Sequence, residues 1–153
     1  NGEELLPSIH LNIMLSEADY IEPSFVRDSI IEEDKSCLII DVRDDDFKGG
    51  NLIGCVHFPS QDWPESLDSI LDYINERKPV ETIIFHCYKS FMRGPFCARE
   101  FIHYVNRDTK EGGKGAQIRE HVKQVRILRG GFKEMKLRYL AENDPPIFEN
   151  YPK

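Results

Sequence analysis

Long hydrophobic runs are missing from the sequence. Its longest apolar stretches, Cys37–Ile40 and Ile83–Phe85, are far shorter than the roughly 20 residues that cross a bilayer as a helix. Basic residues are outnumbered by acidic ones, with 20 Lys and Arg against 27 Asp and Glu, which gives a net charge of −7. Because non-specific binding to nucleic acid needs a basic surface, we expect neither a membrane span nor a nucleic-acid partner.

Cysteine is scarce, and its spacing disfavours a zinc site. None of the four cysteines, which are Cys37, Cys55, Cys87 and Cys97, has the paired close spacing that such a site needs. Three of them lie in or next to apolar segments, where a small hydrophobic residue would also fit. We therefore expect reduced thiols and no metal, in a protein of the cytoplasm or the nucleus.

The length and composition predict one domain. A chain of 153 residues with 40% hydrophobic residues is long and apolar enough for a single core. We expect residues 1–18 to be an N-terminal extension and residues 19–153 to form the domain. The apolar residues of 1–15 are interrupted by Pro7 and His10 and follow no basic segment, so the sequence predicts no secretory signal.

Strand-like and helix-like segments alternate along the chain. Short apolar segments bounded by turn residues predict strands at Tyr20–Pro23, Cys37–Val42, Cys55–Phe58, Thr82–His86 and Val125–Leu128. Apolar residues at helical spacing predict helices at Ser24–Glu33, Pro64–Glu76, Gly94–Val105 and Phe132–Leu140. The alternation is typical of an α/β domain with three layers, in which helices flank a central parallel sheet.

Two segments between these elements are predicted to be irregular. Residues 106–117 are charged and contain Gly112, Gly113 and Gly115, so they predict a flexible loop. In a parallel sheet this loop lies at the edge opposite the carboxyl ends of the strands. Residues 44–51 are polar and predict a loop or a single helical turn.

One segment carries an arrangement that points to chemistry. Cys87 directly follows the predicted strand Thr82–His86, Arg93 lies six residues later, and Gly94-Pro95 begins the next helix. A turn of this length between a strand and a helix lets several backbone N–H groups converge on one anion. The positive end of the helix dipole adds to the same point.

The two reactive side chains of this segment have complementary tasks. A thiol at a helix N-terminus is activated as a nucleophilic thiolate, which favours Cys87 as the attacking group. The planar guanidinium of Arg93 can hold two oxygens of a tetrahedral oxyanion. The sequence therefore predicts that Cys87 and Arg93 are the catalytic residues. The alternative, a strand-end cysteine beside a surface arginine, is disfavoured by the Gly-Pro context.

The motif His-Cys-x5-Arg-Gly-Pro after an apolar strand resembles the M-phase inducer (cell-division-cycle) tyrosine phosphatases. It is equally similar to the eukaryotic arsenate reductases and the small single-domain phosphatases of plants and fungi, and all of these have the rhodanese fold. Further matches lie at Tyr20–Pro23, Ile39–Arg43, Gly49-Gly50 and Ile127–Phe132. The resemblance implies a rhodanese-like domain in which Cys87 forms a phosphocysteine. It also implies that the oxyanion is bound by the backbone amides of the loop and by the Arg93 side chain, the loop residues being Tyr88, Lys89, Ser90, Phe91, Met92 and Arg93.

The loop departs from that of the M-phase phosphatases at two positions. Those enzymes carry glutamates where this sequence has Tyr88 and Met92, so the general acid is unassigned. With Ser90 at its centre, the loop is more similar to the arsenate reductases and small phosphatases. Ser90 has two candidate roles, namely bonding the thiolate and aiding release of the intermediate, or stabilising the loop. Sulfurtransferases of the same fold have a loop one residue shorter, which disfavours sulfur transfer.

Three residues near the loop are expected to support it. The resemblance implies that His86 tunes the Cys87 thiolate, although a strand-end histidine satisfied by backbone is an equal alternative. Asp41 and Arg43 end the neighbouring strand, where open α/β sheets place their sites. We expect these two residues to brace the loop as an ion pair rather than to touch the substrate.

Two further motifs have competing interpretations. Asp62-Trp63-Pro64-Glu65 resembles the acid-bearing Trp-Pro-Asp loop of the large tyrosine phosphatases, but a helix start with Pro64 in the first turn explains the same residues better. Cys97 is a candidate resolving thiol for Cys87, but its place on an apolar helix face favours a core residue. In the M-phase phosphatases a protective cysteine occupies the position of Val42, so that disulfide is not predicted here.

The sequence supports three functions. The first is a cysteine-dependent protein phosphatase with tyrosine or dual specificity. The second is an arsenate reductase, in which Cys87 attacks arsenate and glutathione or glutaredoxin is the co-reductant. The third is a non-catalytic module that binds phosphorylated peptides through the same loop. The expected partner is a phosphorylated protein or a small oxyanion, no other cofactor is expected, and no oligomeric state is predicted.

Overall fold

A five-stranded parallel sheet lies at the centre of the structure, a computed structural model that describes residues 13–142 and 144–151. The strands of the described residues are β1 Asp19–Ile21, β2 Cys37–Asp41, β3 Asn51–Leu52, β4 Val56–His57, β5 Thr82–His86, β6 Gln124–Leu128 and β7 Phe148–Glu149. The parallel sheet has the order β1-β6-β5-β2-β4, and β3 pairs with β7 in a separate antiparallel ladder.

Five α-helices of the described residues flank this sheet. They are α1 Pro23–Ile31, α2 Leu67–Asn75, α3 Arg93–Arg107, α4 Lys114–His121 and α5 Gly131–Tyr139. Short 3₁₀ turns lie at Asp45–Phe47 and Ser60–Asp62. The predicted three-layer α/β architecture with a parallel sheet is therefore confirmed. Every helix in the described part of the chain is too short or too polar to span a bilayer.

The central strands β2 and β5 are apolar through their middle residues because both faces of the sheet are covered. On one face, Phe85 of β5 packs in a cluster with Phe101 of α3 and Ile118 of α4. On the other face, Ile84 packs in a cluster with residues of α1 and α5. Side chains that alternate along β5 thus fill two separate cores, as the period of a strand requires.

The register of β2 and β5 sets the position of the reactive segment. Asp41 pairs with His86 at the carboxyl ends of these two strands. Cys87 therefore leaves β5 beside the segment that leaves β2, at the edge where parallel α/β sheets bind ligands. The amide of Val42 donates to the carbonyl of His86 at 2.9 Å and extends this pairing past the strand.

All four predicted helices begin at other residues than the sequence predicted, although α3 at Arg93 and α5 at Gly131 each begin only one residue early. Helix α1 begins at Pro23 rather than Ser24, because proline fits the first position of a helix, where no N–H is needed. Helix α2 begins at Leu67 rather than Pro64. Trp63 is buried against Phe85 and anchors the chain, so residues 64–66 form turns before the helix starts.

The prediction of a flexible loop at residues 106–117 was wrong. Helix α3 extends to Arg107, and α4 begins within the segment, at Lys114. The connection is held by Asp108, whose carboxylate accepts hydrogen bonds from the amides of Lys110 at 3.2 Å and Gly115 at 2.9 Å. Gly113 and Gly115 make room for Asp108, because a Cβ at Gly113 would lie 2.4 Å from its carboxylate and one at Gly115 would lie 2.7 Å from its Cβ.

The ends of the described chain also pack onto the domain. Leu15 is buried in the core, and its backbone N–H and C=O bond to the side chain of Asn106, both at 2.9 Å. Residues 1–12 of the predicted extension lie outside the described residues. Near the C-terminus, Phe148 and Tyr151 stack around Phe132 of α5, a contact that no sequence pattern predicted.

Gly131 couples the N-terminus of α5 to the reactive segment. The amides of Phe132 and Lys133 donate to the carbonyls of Cys87 at 3.0 Å and Tyr88 at 2.8 Å. Gly131 has a φ of +63°, and a Cβ there would lie 2.5 Å from the Tyr88 carbonyl oxygen. Only glycine fits this position without displacing the backbone of the loop.

We predict that Gly131→Ala lowers the free energy of unfolding by about 2–5 kcal/mol, because it adds a backbone clash to a strained φ. Gly112→Ala is the matched control, since Gly112 has a φ of +77° but open space around it. Its cost should be about 1–2 kcal/mol, from the left-handed backbone alone. Urea unfolding followed by the fluorescence of Trp63 measures both, and equal losses would show that the loop contact is unimportant.

Candidate active site

The Cys87 thiol lies at the base of the loop between β5 and α3. The side chain is only 3% exposed, and its Sγ accepts hydrogen bonds from the amides of Ser90 at 3.2 Å and Gly94 at 3.3 Å. Donors of this kind stabilise negative charge on an acceptor atom. The sulfur therefore sits where a thiolate would be held and aimed out of the loop.

Ser90 shapes the turn of this loop. It has a φ of +57° and is buried, and its Oγ accepts a hydrogen bond from the amide of Cys87 at 3.4 Å. The backbone of Ser90, not its hydroxyl, is the group that bonds the sulfur. Of the two predicted roles, this geometry supports stabilisation of the loop, and any part in releasing an intermediate stays a prediction.

The N-terminus of α3 faces the same loop. In the described part of the chain, no group accepts a hydrogen bond from the backbone N–H of Phe91, Met92 or Arg93. Unsatisfied amides at the start of a helix, together with the helix dipole, form a binding site for an anion. The loop therefore offers donors for an oxyanion next to the sulfur.

The remaining side chains of the loop point to different surroundings. Tyr88 is half-buried, and Nζ of Lys136 lies 4.9 Å from the centre of its ring. Lys89 is exposed. Phe91 and Met92 are 76% and 79% exposed, which is unusual for large apolar side chains. The loop thus presents an apolar rim to solvent.

Arg93 lies at the mouth of the loop and is paired with carboxylates. Its Nη1 and Nη2 donate to the two oxygens of Asp46 at 2.8 and 2.7 Å, and Nη1 also lies 3.4 Å from Asp44 Oδ2. These bonds raise the pKa of Arg93, so its charge is permanent. The two carboxylates therefore already occupy one edge of the guanidinium that is predicted to bind the oxyanion.

Sequence reasoning did not single out Asp44 and Asp46. Hydrogen bonds from Arg93 hold the pKa of Asp46 below its ordinary value. For Asp44, burial raises the pKa, but hydrogen bonds from Gln61 and Ser60 lower it by more. Both carboxyls are therefore ionised near neutral pH and are poor proton donors. Their position three and five residues past the carboxyl end of β2 was the available signal.

Asp41 and Arg43 form a buried ion pair below the loop. Arg43 Nη2 donates to Asp41 Oδ2 at 2.8 Å, and Arg43 Nε lies 3.0–3.1 Å from both carboxylate oxygens. Burial raises the pKa of Asp41, but His86 and Arg43 lower it by more, so the carboxylate is ionised. Neither side chain reaches the surface, and this burial is compatible with a supporting role. That role stays a prediction.

His86 connects this ion pair to the nucleophile. Its Nδ1 lies 3.0 Å from the carbonyl oxygen of Cys87, and since a carbonyl only accepts, Nδ1 carries a proton. Its Nε2 lies 3.5 Å from Asp41 Oδ2, beyond a good hydrogen bond. Burial lowers the pKa of His86, and the Asp41 carboxylate opposes that shift. Both predicted interpretations of His86 therefore stay open, because backbone satisfies its Nδ1, whereas its Nε2 is buried with no hydrogen-bond partner among the described residues.

The other candidate residues lie apart from the loop or are inert. Cys97 is fully buried, and burial with the nearby Cys87 raises its thiol pKa to about 12, which favours the core interpretation. Asp62 and Glu65 are exposed, and within the described residues neither side chain bonds to the loop. No cluster of three or more His, Cys, Asp or Glu side chains in the described ranges could hold a metal ion.

The fold is a rhodanese-type α/β domain, and its loop between β5 and α3 brings together a cysteine and an arginine. The chain belongs to the rhodanese-like domain family, whose profile matches residues 26–138. The resemblance inferred from the motif is thereby confirmed.

Similar proteins include two enzymes that are named for different activities. The chain is 31% identical over 131 residues to the dual specificity phosphatase ibp1 of Schizosaccharomyces pombe, covering 82% of this chain and 93% of that protein. It is 28% identical over 105 residues to arsenate reductase 2.2 of Oryza sativa, covering 68% and 72%. The structure of Ygr203w, a yeast protein tyrosine phosphatase of the rhodanese family, has a TM-score of 0.73 at 20% identity and covers 90% of this chain and 96% of that one. At this identity the structural likeness shows the fold alone.

We predict that Cys87→Ser abolishes turnover but keeps oxyanion binding, because the loop amides and Arg93 remain while the nucleophile is lost. Tungstate binding measured by calorimetry should stay within about fivefold of the parent, a change below 1 kcal/mol. Cys37→Ser is the control, since Cys37 lies at the opposite end of β2. Residual turnover of Cys87→Ser within tenfold of the parent would rule out Cys87 as the nucleophile.

Arg93→Lys should not act as a conservative change, because one point charge replaces a planar fork. Losing a charge-assisted bond should cost about 1.5–3 kcal/mol, or roughly 10–150-fold in kcat/KM. Arg99→Lys, at an exposed position of the same helix, is the control and should leave kcat/KM unchanged. An Arg93→Lys variant that equals the parent across pH would show that Arg93 does not bind the substrate.

Proposed function

We propose that this protein is a cysteine-dependent phosphatase that hydrolyses phosphate monoesters, with phosphotyrosine in proteins as its main substrate class. The observation that carries the proposal is the Cys87 sulfur bonded by the amides of Ser90 and Gly94 at the N-terminus of α3, with Arg93 at the rim. We further propose that it acts in the cytoplasm or nucleus and needs no metal.

The reaction follows from this geometry in two steps. The Cys87 thiolate attacks phosphorus, an S–P bond forms, and the P–O bond to the leaving group breaks. Water then attacks the phosphocysteine, the S–P bond breaks, and inorganic phosphate and the thiolate are released. In both steps the loop amides and Arg93 stabilise the charge on the phosphoryl oxygens.

The leaving group needs a proton, and the loop has no donor for it. The nearest carboxyls, Asp44 and Asp46, have lowered pKa values and are already bonded to Arg93. A phenolate leaves with little help, whereas a serine alkoxide is far more basic and needs protonation in the transition state. The site therefore favours aryl phosphates.

The rim of the loop supports the same choice of substrate. Phe91 and Met92 expose most of their surface beside the nucleophile, and Phe96 in the first turn of α3 is 45% exposed. An aromatic ring that carries the phosphate can pack against such side chains, and a serine side chain cannot. Apolar contact at the rim thus adds affinity for phosphotyrosine.

Arsenate reduction is the second candidate function. The observation that favours it is the loop of Cys87 to Arg93, which has a central Ser90 and no carboxylate side chain. Here the Cys87 thiolate would attack arsenate with loss of water. Glutathione, or the thiol of glutaredoxin, would then attack the sulfur, forming a mixed disulfide and releasing arsenite. The buried Cys97, with its raised pKa, is poorly suited to replace that external thiol.

We predict that phosphotyrosine peptides are hydrolysed at least about 100-fold faster than phosphoserine peptides, because the missing acid is worth about 10²–10⁴-fold. The pH profile of kcat/KM on p-nitrophenyl phosphate should show no sharp basic limb, because no group of the loop acts as an essential general acid. Phosphate release at several pH values measures both.

The control is Cys87→Ser, which should be inactive on both peptides. Equal rates on phosphoserine and phosphotyrosine would reveal a general acid, and Asp62 and Glu65 would be substituted first. Faster glutathione-dependent reduction of arsenate than hydrolysis of any ester would favour the second function. Binding of phosphopeptides without any turnover would instead indicate a non-catalytic module.

A further inference from the structure

We infer that Asp46 is a positioning residue, whose carboxylate holds one edge of the Arg93 guanidinium so that the opposite edge is presented to the oxyanion. This inference rests on the proposed function, in which Arg93 binds the substrate. It assigns a task to a residue that lies outside the loop and that the reaction steps do not use.

The donors of Arg93 are divided between two edges. Its guanidinium has five N–H groups in a fixed plane. The carboxylate of Asp46 accepts one hydrogen bond from Nη1 at 2.8 Å and one from Nη2 at 2.7 Å. Oδ2 of Asp44 lies 3.4 Å from Nη1. No acceptor among the described residues meets Nε of Arg93. The Nε–H and the second N–H of Nη2 are therefore left, and they lie side by side on one edge.

Arg43 of the same chain shows what that edge can bind. Its Nε and Nη2 hold the two carboxylate oxygens of Asp41 at 2.8–3.1 Å. A phosphate has oxygens at a spacing similar to that of a carboxylate. The equivalent edge of Arg93 thus matches two oxygens of a phosphoryl group, while its other edge stays on Asp46.

Asp46 is itself held in place by hydrogen bonds from Arg43 and Asp44. Its backbone carbonyl accepts a hydrogen bond from Arg43 Nη1 at 3.1 Å, and its Oδ1 accepts one from the amide of Asp44 at 2.9 Å. Arg43 is fully buried and also donates to the carbonyl of Gly50 at 2.9 Å. A continuous series of hydrogen bonds therefore connects the buried ion pair, through Asp46, to Arg93.

Two opposing effects of Asp46 on an anion must be compared. Its carboxylate repels a phosphate, but Arg93 lies between them and both side chains are about one third exposed, so water and salt screen that repulsion. An unheld arginine, by contrast, loses its rotamer freedom each time it binds. Holding Arg93 in place therefore outweighs the repulsion, and Asp46 strengthens binding.

Asp46→Asn tests this inference, with Asp45→Asn as the matched control. Asp45 is exposed in the same turn, makes no side-chain bond within the described residues, and loses the same charge on substitution. We expect Asp46→Asn to weaken tungstate binding, measured by calorimetry, about 10–50-fold, within the range for a lost charge-assisted bond. Asp45→Asn should change it less than about twofold, as expected for a screened surface charge.

A double-mutant cycle separates positioning from a general structural effect. In the Arg93→Ala background, Asp46→Asn should have no further effect on tungstate binding, because the residue it positions is gone. Undiminished or tighter binding by Asp46→Asn, in an active parent, would overturn the inference and leave the proposed function standing. A full effect in the Arg93→Ala background would also overturn it. A parent that neither binds tungstate nor hydrolyses aryl phosphates would overturn the proposed function first.

Discussion

The buried ion pair between Asp41 and Arg43 is the interaction on which the rest of the site depends. Arg43 bonds Asp41, donates to the carbonyls of Asp46 and Gly50, and stacks with its Cζ 4.0 Å from the centre of the Phe132 ring. It thereby joins the end of β2, the acidic turn after it and the start of α5. Removing one partner from such a pair costs about 3–5 kcal/mol because an unpaired charge is left in the core. The acidic turn and the start of α5 are thus both connected to this buried ion pair.

The loop itself is held by backbone groups on both sides and by the side chains of Ser90 and His86. The first amides of α5 donate hydrogen bonds to carbonyls of the loop, and the amides of Ser90 and Gly94 donate hydrogen bonds to the sulfur of Cys87. Backbone donors of this kind keep their orientation during reaction, so they stabilise developing charge without reorganisation. The exposed rim of Phe91 and Met92 is then free to meet different substrates.

Much of this arrangement could be predicted from the sequence, because the signals were local. The apolar run of Thr82–His86 and the Gly-Pro after Arg93 placed a strand, a tight turn and a helix correctly. What could not be predicted depends on contacts between distant segments. The pairing of Arg93 with Asp46 needs the register of β2 and β5. Helix α4 begins within residues 106–117 because its buried side chains pack on α2 and α3. The glycines there predicted a loop, although Gly113 and Gly115 make room for Asp108.

The central claim is that the Cys87 sulfur attacks an oxyanion held in this loop, and rapid quenching tests it most directly. The protein would be mixed with p-nitrophenyl phosphate, stopped with acid within the first turnover, and digested for mass spectrometry. The account predicts a phosphoryl group on the peptide that contains Cys87, formed at the rate of the nitrophenol burst and absent from Cys87→Ser. Steady hydrolysis with no adduct on that peptide, or with the adduct on another residue, would contradict it.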